Sequence, residues 1–294
     1  MKAALRNDEL AGTALMGVSA TCLGLITTAA RVGYDAGGTP FAQVLSRSLL
    51  FTAVIGGFLL ARRSTLRLGQ AGWRAVGWLT VTLSVMSLGY LGSVSLIPVS
   101  LAVLIVYTAP LLVGVLGMVA GRGRPAAPDI AAVLVAFTGV ALAVGVEIDH
   151  LDWRGLALAG CAALGFALTI AFSGVAARDN DPLAMNVWTN LGIAIVTLAI
   201  APVLGSVALP DTTRGMGGLL VACACYIAGL ALWFFAQQRA SPLRIALASN
   251  VEPVVTLAVA AAFLGERLAP VQAAGAALVL GSVGAGAIRA GRAR

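Results

Sequence analysis

Apolar stretches of about 20 residues recur along this sequence from one end to the other, and each is long enough as a helix to cross roughly 30 Å of hydrocarbon. A backbone surrounded by lipid must satisfy its own N–H and C=O groups, so such stretches become helices or closed barrels. Barrel strands alternate polar and apolar residues, and these stretches do not. Helical spans are therefore predicted at roughly 10–30, 40–61, 73–94, 98–119, 127–146, 155–176, 183–205, 215–237, 243–264 and 269–288. The connections are short and leave no room for a soluble domain. Of 294 residues, 60% are hydrophobic and only 11% charged, too few charges to clothe a soluble surface of this size. Lys2 and Arg6 precede the first span in the manner of a secretory leader. Asp8 and Glu9 interrupt the basic region, however, and the apolar run is long without a clean cleavage site, so the span is read as part of the fold.

The halves of the chain repeat. Gly12, Ala14, Leu15, Gly17 and Ala20 correspond to Gly155, Ala157, Leu158, Gly160 and Ala163 at an offset of 143, and Pro110 to Pro253 at the same offset. Pro40, Ala42 and Leu49 correspond to Pro182, Ala184 and Leu191, and Pro128 and Gly139 to Pro270 and Gly281, at 142. One match in Gly/Ala-rich sequence means little; a constant offset across the set implies duplication. Two units follow, residues 1–148 and 149–294, with five spans each. Five is odd, so the second unit enters the membrane from the opposite side. The expected fold is all-α and integral to the membrane: ten transmembrane helices as two inverted five-helix repeats around a central cavity.

The cations agree with one orientation. Among the 19 Lys and Arg residues, Arg31, Arg154, Arg214 and Arg267 fall on one side and Arg47 inside a span; all the others fall on the side of the termini. Cytoplasmic loops collect Lys and Arg, so both termini are expected in the cytoplasm, with the chain in the inner (plasma) membrane. The same clustering argues against nucleic acid as the meaning of the positive charge. Cys22, Cys161, Cys223 and Cys225 lie in apolar runs, and His150, the only histidine, lies in a polar loop. No metal, cofactor or catalytic constellation is expected.

Arg47 and Glu252 are ionisable residues well inside apolar spans. A charge there is costly and normally faces protein or a polar cavity. Glu252 can bind a cation, or pick up and release a proton; the bland alternative is a carboxylate that caps backbone groups at a kink. Arg47, seven residues past Pro40, is read toward the cytoplasmic half of its span, as a substrate contact or a side chain that snorkels to the interface. Pro110 and Pro253 leave the carbonyls of Val106 and Ser249 without a donor and are candidate hinges. Tyr90 and Trp233 are repeat equivalents, as are Tyr107 and Asn250, and all four are candidate cavity-lining, substrate-binding groups. Asn186, Trp188 and Asn190 are weaker candidates. Small residues in the fifth and tenth spans, including Gly139, Gly145, Gly275, Gly281, Gly284 and Gly286, allow close helix approach, within the chain or in a homodimer.

Several segments carry a family resemblance: Pro40 with Arg47, Ile97-Pro98 through Tyr107-Thr108-Ala109-Pro110, Asn250-Val251-Glu252-Pro253-Val254-Val255, and Leu264-Gly265-Glu266-Arg267-Leu268 followed by Gly275 and Gly281. With these the chain resembles the EamA-type branch of the drug/metabolite transporter superfamily. It departs from the pattern at Gly121-Arg122-Gly123-Arg124, where an acidic turn is usual. The resemblance implies ten helices around a central cavity and export of amino acids or other metabolites, in several members with proton coupling.

The expected activity is secondary transport, a proton-coupled export of small metabolites such as amino acids. Import of a small polar solute is the alternative; a non-transporting scaffold or receptor is the reading from another class. An enzyme is not expected, because the acids are scattered and the histidine is single. The partners are the small-molecule substrate and the surrounding lipid. The charge argument predicts that a reporter placed after Arg294 reads cytoplasmic and one inserted near Asp149 reads periplasmic; the opposite pair of readings would refute the assigned orientation.

Overall fold

The computed structural model describes residues 2–94, 96–97, 99–120, 127–144, 152–176, 181–264 and 269–292. These residues are 85% helical across the chain, with no strand among them. The helices are α1 (Lys2–Tyr34), α2 (Pro40–Ala61), α3 (Gln70–Val94), α4 (Val99–Val106), α5 (Ala109–Val119), α6 (Ala127–Val144), α7 (Trp153–Ala176), α8 (Pro182–Leu204), α9 (Thr213–Gln237), α10 (Pro242–Ser249), α11 (Val251–Leu264) and α12 (Pro270–Arg292). Six stretches among the described residues are long and apolar enough to cross a membrane: Asp8–Tyr34, Pro40–Ala61, Ala102–Val119, Trp153–Ala171, Pro182–Val203 and Thr213–Gln237. Ile130–Leu142 and Pro270–Ser282 are shorter apolar helices. Large apolar side chains such as Val119, Val203, Ile195 and Leu60 lie on the outer surface, the arrangement expected of a protein solvated by lipid and rare on a soluble monomer. The protein is a membrane protein.

The helix starts explain themselves locally. Thr39 caps α2, its Oγ1 accepting from the Ala42 N–H at 3.3 Å, with Pro40 in the first turn. Asp181 caps α8, its Oδ1 accepting from Leu183 N–H at 2.8 Å, with Pro182 in the first turn. A side-chain acceptor followed by proline uses both ways of dealing with the unpaired N–H groups at a helix start. Thr39 and Asp181 stand 142 residues apart, the offset already seen between Pro40 and Pro182.

Packing crosses between the halves of the chain. α1 lies against α9, α3 against α7, α2 against α8 and α6 against α12. α1 and α9 run antiparallel: Gly12 meets Ala240, Gly229 meets Leu23, and Gly218 meets Ala29. α2 and α8 do the same, with Phe41 against Gly205 and Val187 against Gly56. A β-carbon on Gly12 would sit 2.9 Å from that of Ala240, and one on Gly155 would sit 2.7 Å from a methyl of Ile97. Gly12 and Gly155 are 143 apart, as are Ile97 and Ala240. Both contacts need glycine for the same reason, since no side chain fits between helices this close. The buried hydroxyl of Ser19 donates to the Gly229 carbonyl at 2.6 Å and fastens α1 to α9.

The glycines of the fifth and tenth predicted spans divide. Gly139 packs against the Gly275 carbonyl and Val279, so this pair joins α6 to α12 within the chain, while Gly281 has open space beside it. Gly145 lies outside the described residues, as do His150, Glu147, Asp149, Gly265, Glu266, Arg267 and the Gly121–Arg124 turn. Close packing on α1 yields a matched test. A β-carbon at Gly24 would lie 2.7 Å from the backbone oxygen of Glu252, whereas one at Gly17 meets nothing within 4 Å. Gly24→Ala is expected to destabilise by about 1–3 kcal/mol through overpacking. Gly17→Ala is expected to be neutral or slightly stabilising, by up to about 1 kcal/mol. Thermal unfolding in detergent reads both; equal midpoints for the two variants would refute the close approach of α1 to α11.

Candidate functional site

Two predicted spans are interrupted, at equivalent places. The fourth is α4 and α5, separated by Tyr107 and Thr108; the ninth is α10 and α11, separated by Asn250. Proline explains both. Pro110 and Pro253 lack an N–H, so the carbonyls of Val106 and Ser249 lose their helical donor and the preceding turn tightens. Thr108 N–H bonds back to Ile105 O at 3.0 Å, and Asn250 N–H to Leu247 O at 3.2 Å, each three residues away. The Thr108 hydroxyl donates to Ile105 O at 2.6 Å and the Ser249 hydroxyl to Ala246 O at 2.7 Å, relieving further crowded carbonyls. Thr108 and Asn250 keep right-handed backbone angles, φ −74° and −65°. The interruptions are tightened single turns, with no unwound stretch.

Glu252 follows the second interruption, in the first turn of α11. A carboxylate there is favoured by the N–H groups that a helix start presents. The hydroxyl of Tyr107, at the other interruption, lies close to the Glu252 carboxylate, placed to donate to it. The two broken spans are thus joined at their breaks by a tyrosine and a glutamate. α1 closes one side: the Thr256 hydroxyl, one turn beyond Glu252, donates to Gly24 O at 3.0 Å. Asn250 is almost fully buried, and its Oδ1 accepts no hydrogen bond.

Arg47 sits on α2 within electrostatic range of Glu252, yet the two form no direct ion pair. Its guanidinium lies 4.4 Å from the centre of the Tyr226 ring on α9, a cation–π contact. Tyr226 is held from behind: its hydroxyl donates to Asn190 Oδ1 at 2.9 Å, Asn190 Nδ2 donates to the Asn186 carbonyl at 3.0 Å, and Asn186 Nδ2 donates to the Leu230 carbonyl at 3.3 Å. Phe51 packs edge-on against the same ring. Tyr34, at the end of α1, also lies within electrostatic range of Arg47. Arg47 belongs to the half of α2 next to Thr39 and Tyr34, at the far end from the Arg62–Arg63 turn, because α2 begins at Pro40 and Arg47 is only two turns along it.

Tyr90 is half-buried beside Ile97, Ala102 and Ala159 and lies within range of both Glu252 and Tyr34. Trp233 is buried in the main apolar cluster, its ring 5.0 Å from that of Phe234. Trp188 donates to the Leu66 carbonyl at 2.8 Å and stacks obliquely on Trp73, which anchors the loop between α2 and α3. The structure therefore brings together Arg47, Tyr107, Tyr90, Asn250 and Glu252, and places Trp233 among apolar neighbours. Tyr34 and Tyr226 were not singled out from sequence. A signal existed: the chain has only four tyrosines, and every one lies by Arg47 or Glu252.

Residues 153–285 match the model of the EamA-like transporter family. The match covers just under half of the chain, and the family lies within the drug/metabolite transporter superfamily. The EamA-like segment runs from α7 into α12 and contains Asn250, Glu252 and Tyr226. Arg47, Tyr90 and Tyr107 come from the other half of the chain. Members of that family are small-molecule transporters. No curated protein matches this sequence. One crystal structure superposes on 92% of this chain and 96% of its own, with a TM-score of 0.79 at 17% identity, a likeness of fold.

The Tyr226 network can be tested on its own. Tyr226→Phe keeps the ring under Arg47 and removes the hydroxyl that bonds Asn190. Hydrogen bonds between membrane helices contribute about 0.6 kcal/mol on average and up to about 1.7. Stability in detergent is expected to drop by that amount for Tyr226→Phe, and a double-mutant cycle with Asn190→Ala is expected to show a coupling of the same size; strictly additive losses would show that the two residues act separately.

Proposed function

We propose that the protein is a proton-coupled secondary transporter that exports small polar metabolites such as amino acids across the inner membrane. The observation that carries the reading is the junction of both broken helices at Tyr107 and Glu252. Transporter sites occur where helices are interrupted and backbone or ionisable groups face a cavity instead of lipid. Glu252 is the binding and proton-coupling group in this proposal. A carboxylate that holds either a proton or a cationic group of the substrate, never both, exchanges one for the other. With the proton gradient directed inward, that competition drives solute outward.

The two halves, residues 1–148 and 149–294, are proposed to be five-helix repeats inserted in opposite senses, ten spans in all, enclosing a central cavity. The equivalent packing of Gly12 on Ala240 and Gly155 on Ile97 supports this, as do the antiparallel pairs α1 with α9 and α2 with α8. Asn250, Tyr107, Tyr90 and Arg47 are proposed to line the cavity, and Pro110 and Pro253 to be the hinges about which the half-helices swing. Both termini are assigned to the cytoplasm, which puts Thr39, Tyr34 and the near part of α2 toward the periplasm. The open face of α12 at Gly281 is the proposed contact for a homodimer in the lipid.

Reconstituted in liposomes with an imposed pH gradient, the wild-type protein is expected to move amino acids against the proton flow. Glu252→Gln should abolish the pH-driven component while leaving the protein folded. Normal flux with unchanged pH dependence in Glu252→Gln would overturn proton coupling through this residue.

A further inference from the structure

We propose that Arg47 and Tyr226 form an anion subsite, and that the transported molecule carries a carboxylate bound there together with a cationic group bound at Glu252. The inference rests on the transport reading above and narrows it to zwitterions, in which the carboxylate is required for binding.

A guanidinium has five N–H donors and no means of losing its charge. Buried cations in proteins are paired or fully hydrogen-bonded, because the cost of desolvation is otherwise unmet. Arg47 Nε is buried and has no hydrogen-bond partner. The contact that the side chain does make is with the face of Tyr226, which orients the guanidinium plane and leaves its edge free. The polar groups behind the ring are already engaged. Tyr226 spends its hydroxyl proton on Asn190, and the amides of Asn190 and Asn186 are committed to one another and to backbone carbonyls. These bonds fix the ring as a platform, and no acceptor is supplied to Arg47 Nε. The repeat position equivalent to Arg47 is Thr189, so the duplicated scaffold does not itself call for a cation.

The anion must come from elsewhere, and the carboxylate of Glu252 is within range without being paired. Two opposite charges that do not pair with one another suit a small molecule whose own charges are opposite in order. A carboxylate matches the planar fork of a guanidinium better than a spherical anion does. A protonated amine suits Glu252. Such a ligand makes the occupied site neutral at both poles, which a simple amine or a simple acid cannot do.

The test uses the full-length protein with neutral L-amino acids, their carboxamides and the corresponding amines as probes, measured by thermal stabilisation in detergent and by flux in proteoliposomes. The wild type is expected to bind at least one amino acid about 10- to 100-fold more tightly than its carboxamide, the range of a charge-assisted hydrogen-bonded pair. Arg47→Gln should bring acid and amide to equal affinity, and Tyr226→Phe should keep the preference. Where Arg47→Gln fails to fold, Arg47→Lys decides: weaker binding with the acid still preferred supports the subsite, and unaltered affinity overturns it. The subsite is also overturned if Arg47→Gln keeps the wild-type ratio, or if the wild type binds no carboxylate-bearing probe or does not distinguish acid from amide. Glu252-dependent flux of the amines that is indifferent to Arg47 would sink the subsite and leave the transport reading standing. Absence of Glu252-dependent flux for every probe would sink the transport reading itself.

Discussion

Lipid offers the backbone no hydrogen bonds, and the rest of this structure follows from that constraint. Helices meet it along most of the chain, so any departure from a continuous helix must be compensated by protein. Here the turns at Tyr107–Thr108 and at Asn250 are tightened by bonds to the third residue back and by the hydroxyls of Thr108 and Ser249. The same two turns carry Tyr107 and, two residues past Asn250, Glu252. The positions where the helical ladder is weakest are therefore the positions where polar side chains are brought together.

Close packing between helices supplies the precision. Apolar side chains gain little from leaving lipid for protein, so association depends on surface fit and on interhelical hydrogen bonds. Gly24 lets α1 approach the backbone of Glu252, and Thr256 secures the contact. Ser19 does likewise between α1 and α9. These contacts hold the wall of the site on both flanks of Glu252. On the opposite flank, the Asn186–Asn190–Tyr226 chain sets the ring on which Arg47 lies. Positive and negative poles are thus mounted on different helices, each supported by its own set of bonds.

The helical organisation was largely legible in the residues. Long apolar runs, proline after a capping residue at Thr39 and Asp181, and the repeated offset predict where helices begin and which are equivalent. The first helix is longer than its apolar run, extending over Lys2–Tyr34, since polar residues at a helix end are free to continue the helix in water. The two candidate hinge prolines lie just after the observed interruptions because a missing N–H acts through the chain itself. Six stretches pass as spanning helices by length and apolarity among the described residues; α3 carries Arg74 and polar residues in its first turns, and α10 is short by virtue of the break that follows it.

What the sequence by itself determined is whatever depends on neighbours along the chain: membrane residence, helix, the broken turns before Pro110 and Pro253, and the presence of charge at Arg47 and Glu252. Tertiary structure decided which side chains meet. Tyr226 lies far from Arg47 in sequence, and only the crossing of α2 with α9 puts its ring beneath the guanidinium. Trp233 is the candidate that the repeat suggests, Tyr226 is not, and helix rotation turns Trp233 into apolar packing. The physical reason is that a helix fixes the direction of each side chain relative to its own axis alone. The rotation and approach of one helix against another are settled by small residues and buried bonds distributed over the whole bundle.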